Sequence, residues 1–152
     1  MSGVAPPAVH LEGMSNIETI PSVGTMRLIH GAQIAGLLLF VTVLYFVIRP
    51  QMADQTLPPI ALNAMLGVSV TATIVSLSLL RSRVPLKSTD ETADLYWTRA
   101  TGSALIVWVV LEGAALLAFV AYMFGGVMAS LAAAAVALFG LVVTRPGYFE
   151  QR

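Results

Sequence analysis

Four long apolar stretches alternate with short polar segments along the chain. They run from about 28 to 48, from 59 to 80, from 104 to 124 and from 127 to 143. A bilayer core of about 30 Å needs roughly 20 helical residues at 1.5 Å each. The first three stretches meet this length, and the fourth spans with help from its flanks or from local thinning of the bilayer. The strict alternation of a membrane β-strand does not occur, so the pattern predicts an all-α integral membrane protein with four transmembrane helices.

Proline and glycine pairs in the connections arrange these helices as two antiparallel hairpins. Arg49-Pro50 ends the first helix and Pro58-Pro59 begins the second, because proline suits a first helical turn and not an interior. Gly125-Gly126 joins the third and fourth helices. In the long middle connection, Ser88 and Glu91 have capping-box spacing, which predicts that the third helix begins near Thr89.

The flanking segments complete the predicted organisation. We expect residues 1–25 to be a flexible or partner-bound tail, residues 26–145 to be the transmembrane domain, and residues 146–152 to be a short C-terminal tail.

Basic residues are concentrated on one side of the predicted topology. Because cytoplasmic loops carry the excess of lysine and arginine, this bias predicts that both termini are cytoplasmic, in the inner membrane of a bacterium. Only Arg49 falls on the other side; the remaining basic residues are Arg27, Arg81, Arg83, Lys87, Arg99, Arg145 and Arg152.

Composition narrows the classes of function. Hydrophobic residues make up 57% of the chain and charged residues 11%, against about 25% charged in soluble domains. The net charge is zero, which argues against nucleic-acid binding, and the chain has no cysteine. We find no catalytic set, phosphate loop or metal-ligand cluster in the sequence. We therefore expect a non-catalytic, multi-pass accessory or structural subunit of a larger energy-transducing membrane complex, without a metal or required cofactor, whose partners are lipids and other membrane subunits or copies of itself.

Glu112 is the one acidic residue within an apolar stretch. A carboxylate near the bilayer centre costs about 2.5 to 3.5 kcal/mol, so it should face other helices. Ser69 and Thr73 share a face of the second helix at a similar depth. We predict that a protonated Glu112 donates a hydrogen bond to one of these hydroxyls, either as a structural bond between helices or as a proton-binding site in a relay.

The segment from Leu111 to Ala121, LEGAALLAFVA, resembles the carboxylate-bearing helix of rotary ATPase proteolipid (c-ring) subunits. This resemblance implies that Glu112 loads and unloads protons, which makes proton or ion translocation an alternative function. The chain as a whole looks like small four-helix bacterial membrane proteins.

A polar face on the first and third helices suggests a further alternative. His30 and Gln33 share a face of the first helix, and Trp108 lies on the bulky face of the third that also carries Glu112. These residues could contact a lipid, quinone or pigment, which would make the chain a cofactor-binding membrane subunit.

Small residues mark the predicted helix contacts, since helix association in lipid depends on close approach of backbones. The predicted packing positions are Ala32, Gly36, Ala114, Ala118, Ala121, Gly126, Ser130 and Ala134.

Overall fold

The computed structural model describes residues 22–52 and 55–152, so residues 1–21 of the predicted tail lie outside the described residues. This part of the chain is helical, without strands. Its α-helices are α1 (Val23–Val43), α2 (Pro59–Val75), α3 (Ala93–Gly125), α4 (Met128–Val143) and α5 (Pro146–Glu150).

α1 and α2 each continue past their α-helical residues, first in a π-helical turn and then in a 3₁₀ turn. A π-helical turn, Leu44–Ile48, follows α1, and a second one, Ser76–Leu80, follows α2. With the 3₁₀ turns after them, the continuous segments are Val23–Met52 (30 residues) and Pro59–Arg83 (25 residues). These two segments and the 33-residue α3 are long and apolar enough to cross a membrane, whereas the predicted fourth span is the shorter apolar helix α4 of 16 residues.

The start of α3 differs from the prediction. The helix begins at Ala93, where the side chain of the N-cap residue Thr92 accepts a hydrogen bond from the Leu95 N–H at 3.4 Å. Glu91 does accept from the Ser88 N–H at 3.3 Å, but this bond closes a turn that precedes the helix. The predicted start near Thr89 is therefore wrong. The Arg99 guanidinium also binds both Glu91 oxygens, at 2.7 and 3.0 Å, and this bond holds the pKa of Glu91 below its ordinary value.

α3 is the central helix of the bundle. Half of the most apolar 18-residue stretch of α3 is buried, whereas only 6% of the most apolar 18-residue stretch is buried in the segment that contains α1. α2, α4 and α1 all pack against α3. The position of α3 follows from its small side chains, because alanine lets a neighbouring backbone approach closely.

The predicted packing positions divide into two groups. Ala114, Ala118, Ala121, Ser130 and Ala134 are buried, and Ala118 of α3 and Ala134 of α4 belong to one apolar cluster. The other three positions, Ala32, Gly36 and Gly126, are exposed.

Gly126 ends α3 instead of packing against a helix. Its φ of 64° lies in the left-handed region, and its N–H donates to the Tyr122 carbonyl at 2.8 Å. A residue in this conformation terminates a helix and reverses the chain, and glycine adopts it without the steric penalty of a Cβ atom.

The last residues form more structure than the predicted short tail. α5 covers Pro146–Glu150, and both Pro146 and Phe149 are buried.

We expect Gly126→Ala to lower the free energy of unfolding by about 1 to 2 kcal/mol, since a Cβ atom is strained at this φ. Gly67→Ala is the matched control: Gly67 lies on the exposed side of α2 with open space beside it, so alanine should be neutral or stabilising there. The free energy of unfolding of both variants is measured by denaturation in mixed micelles. Equal stabilities for the two would contradict the assigned turn.

Candidate functional site

Two serines of the second membrane segment, Pro59–Arg83, bind the main chain of α3. Ser69 Oγ donates to the Ala114 carbonyl at 2.8 Å, and Ser76 Oγ donates to the Val107 carbonyl at 3.1 Å. The donors are seven residues apart on this segment and the acceptors are seven residues apart on α3, in opposite chain directions. The two bonds therefore fix the antiparallel register of these helices, and both serines are fully buried.

The hydroxyls predicted to bind Glu112 have other partners. Ser69 binds α3 as described, and Thr73 Oγ1 donates to the Ser69 carbonyl of its own helix at 2.9 Å. The predicted bond between Glu112 and Ser69 or Thr73 is not formed. The physical reason is the alanine at 114, which leaves the α3 carbonyl open to a short side chain from α2, so that the serine bonds to the backbone.

Glu112 lies at the boundary between the buried and the exposed face of α3. It is half-buried; its neighbours Leu111 and Ala115 are buried, and Gly113 is exposed. Within residues 22–52 and 55–152, no hydrogen bond or salt bridge to the Glu112 side chain is formed, although this residue belongs to an apolar helix of membrane-spanning length.

An exposed strip of α3 runs beside Glu112. Gly102, Ile106, Val109 and Gly113 follow each other at spacings of four, three and four residues, and all are exposed. A Cβ atom at either glycine would meet nothing within 4 Å. We call these four residues the α3 strip. With a glycine at each end, this strip lets another helix approach the backbone of α3 closely.

Gln33 has the one buried side-chain oxygen or nitrogen without a hydrogen-bond partner in the described part of the chain, its Oε1. Two contacts set the register of α1 against α3. His30 stacks on Trp108 with ring centroids 4.8 Å apart, and Met26 Sδ lies 3.6 Å from Thr101 Oγ1. Each α1 residue therefore lies beside the α3 residue that is 75 to 78 positions later in the sequence. This register puts Gln33 level with the α3 turn at 108–111, which directly precedes Glu112. A buried amide oxygen without a donor thus lies near the depth of a carboxyl group without a partner.

His30 and Trp108 come together as the sequence suggested, but their polar atoms are engaged. His30 Nε2 lies 2.9 Å from the Leu141 carbonyl, which can only accept, so Nε2 carries the hydrogen. Trp108 Nε1 donates to the Thr144 carbonyl at 2.7 Å. These carbonyls belong to the end of α4, where the last turn of a helix has acceptors without partners in the helix. The pair therefore caps α4, and a ligand at His30 Nε2 would displace that bond.

An aromatic cluster that no pattern in the sequence predicted holds the C-terminal residues. Trp97 Nε1 donates to Glu150 Oε1 at 2.9 Å, and the Phe149 ring lies 6.3 Å from that of Trp108. The Tyr96 hydroxyl lies 3.4 Å from the Phe149 carbonyl. The one sequence feature that points to this cluster is a pair of adjacent aromatic residues at the polar end of each of two apolar stretches, Tyr96-Trp97 and Tyr148-Phe149.

The groups that could hold a metal are sparse: in the described ranges, no three histidine, aspartate or glutamate side chains come together. Comparison with known proteins gives no match, since no family model, no curated protein and no solved structure is significantly similar to this chain. The candidate site is therefore defined by its own residues: Glu112, the α3 strip and Gln33.

We expect Trp108→Phe to lower the free energy of unfolding by about 1 to 3 kcal/mol, because the Thr144 carbonyl loses its indole donor in a buried place. Trp97→Phe should cost less, since its partner Glu150 is partly exposed and can bind water. Unfolding in mixed micelles with tryptophan fluorescence of the remaining indole compares the two variants. A larger loss for Trp97→Phe would contradict the assigned cap on α4.

Proposed function

We propose that this chain is a non-catalytic subunit of a larger membrane assembly and that a partner helix docks on the α3 strip beside Glu112. The observation that carries the proposal is the half-buried Glu112 side chain, without a hydrogen-bond partner in the described residues, beside a strip with a glycine at each end.

The energetic argument concerns the environment of the carboxyl group. A carboxylate facing lipid near the bilayer centre costs about 2.5 to 3.5 kcal/mol, and such residues in membrane helices face other helices or a water-filled cavity. A partner helix on the α3 strip would replace lipid by polar or main-chain groups within reach of Glu112. Small residues at 102 and 113 permit the short backbone distance that such contacts need.

The topology we propose has four membrane spans with both termini in the cytoplasm of a bacterium. The turn at Gly126 sends α4 back along α3, and its end at Thr144 reaches the level of Trp108. With 16 residues, α4 is about 24 Å long, so Arg145 reaches the headgroups by extending its side chain or through local thinning of the bilayer. The excess of basic residues on the side of the termini supports this orientation.

The assembly is tested by the size of the complex after extraction in a mild detergent. We expect wild-type protein in a species larger than the monomer, and we expect Gly113→Leu to remove it by filling the α3 strip. Gly67→Leu is the control, because Gly67 is also exposed in a membrane-spanning segment with open space beside it, on α2.

Variants at Glu112 separate hydrogen bonding from charge. Glu112→Gln keeps size and hydrogen bonding and should retain the large species, whereas Glu112→Leu should weaken it by about 0.6 to 1.7 kcal/mol, the range measured for hydrogen bonds between membrane helices. A wild-type protein that is monomeric in every mild detergent, or a Gly113→Leu variant that assembles as well as the control, would refute the proposal.

A second candidate function is proton binding by Glu112, which the resemblance of the segment from Leu111 to Ala121 to the proteolipid helix implies. The unpaired Gln33 Oε1 favours it, because a protonated carboxyl group at that depth can donate a hydrogen bond to this oxygen and an ionised one cannot.

Reaction with a hydrophobic carbodiimide tests this candidate, since the reagent attacks protonated carboxyl groups. We expect labelling of Glu112 that falls as the pH rises, less labelling in Gln33→Leu, and none in Glu112→Gln. Labelling that is independent of pH, or equal in Gln33→Leu and wild type, would exclude the pairing of Gln33 with a titrating Glu112.

A further inference from the structure

A cavity of about 670 Å³ lies where the end of the first membrane segment faces the end of α3. Its walls are mostly apolar and include Phe40 from α1 and Val120 and Met123 from α3. Four of the five residues of the π-helical turn Leu44–Ile48 line it. Cavities of about 300 to 1,000 Å³ with apolar walls and few polar groups are typical of small-molecule sites.

Arg49 supplies the cationic group of this cavity. Its guanidinium carbon lies 5.1 Å from the centre of the Tyr45 ring and 5.4 Å from the centre of the Tyr122 ring. Two aromatic rings at these distances hold a guanidinium by cation–π attraction. The side chain is half-buried and lines the cavity.

The depth of Arg49 matches the headgroup region. The apolar stretch from 28 to 48 is 21 residues long, or about 31 Å as a helix, close to the thickness of the hydrocarbon core. Arg49 is the next residue and therefore lies at the level of the lipid phosphates. Phe40, nine residues earlier, is about 13 Å deeper, so the cavity extends from the headgroup level into the hydrocarbon region.

We propose that this cavity binds an anionic phospholipid, with the phosphate on the Arg49 guanidinium and one acyl chain along the apolar wall of Phe40, Val120 and Met123. A guanidinium presents five N–H donors that match phosphate oxygens, and the apolar walls match methylene groups. The wide π-helical turn provides the space, and such turns occur frequently at functional sites.

The site is tested with the purified full-length chain in a neutral detergent, by native mass spectrometry with added phosphatidylglycerol or phosphatidylcholine. We expect wild-type protein to retain phosphatidylglycerol about fivefold more than phosphatidylcholine, and Arg49→Gln to lose this preference. Arg27→Gln is the matched control, because Arg27 is exposed near the other end of the same helix, and it should keep the preference.

Filling the cavity provides an independent variant. Val120→Trp occupies the acyl-chain region and should reduce retention of both lipids, while its thermal unfolding in lipid-free detergent reports whether the bundle is intact. Inorganic phosphate at the same concentration should not displace phosphatidylglycerol, since it lacks the acyl chain; displacement would mean that the cavity binds the free anion instead. Equal retention of the two lipids by wild type, or an unchanged preference in Arg49→Gln, would overturn the proposal.

Discussion

Hydrogen bonds from side chains of one helix to main-chain carbonyls of another hold this bundle together. Ser69 and Ser76 bind the backbone of α3, and His30 and Trp108 bind the end of α4. A bilayer core offers no water to replace such partners, and the alternative for a hydroxyl is a carbonyl of its own helix, as for Thr73. The arrangement of α2 and α4 around α3 depends on these bonds and on the small residues that make them short enough.

Some polar side-chain groups in the described part of the bundle have no hydrogen-bond partner. The side chains of Ser69, Ser76, His30 and Trp108 have acceptors within the bundle, whereas Glu112 and Gln33 Oε1 have no partner in the described residues. A group that stabilises the bundle by itself is paired inside it. A group that is left without a partner in an apolar helix needs one from outside or a proton, and this contrast is the basis for choosing Glu112 as the centre of the candidate site.

The proposed protein contact and the proposed lipid site use different parts of α3. The α3 strip extends from Gly102 to Gly113, whereas the cavity begins at Val120 and ends at the level of Arg49. Separate variants therefore test the two sites. A larger side chain at position 113 does not enter the cavity, and a larger side chain at position 120 does not cover the α3 strip. The π-helical turn after α1 contributes to the cavity alone.

The apolar stretches alone determined that the chain is helical and identified three helices of membrane-spanning length, because length and hydrophobicity decide what a helix can do in lipid. Periodicity also placed Ser69 and Thr73 on one face of the second helix, since side chains three or four residues apart share a helix face. Which acceptor each donor binds was decided by the tertiary structure. Ser69 meets the Ala114 carbonyl and not the Glu112 side chain, and Trp108 caps the last turn of α4, because both choices depend on the register and rotation of whole helices. The exposure of Ala32 and Gly36 has the same cause: a small residue permits a close contact, but only the position of the neighbouring helices decides whether one is made.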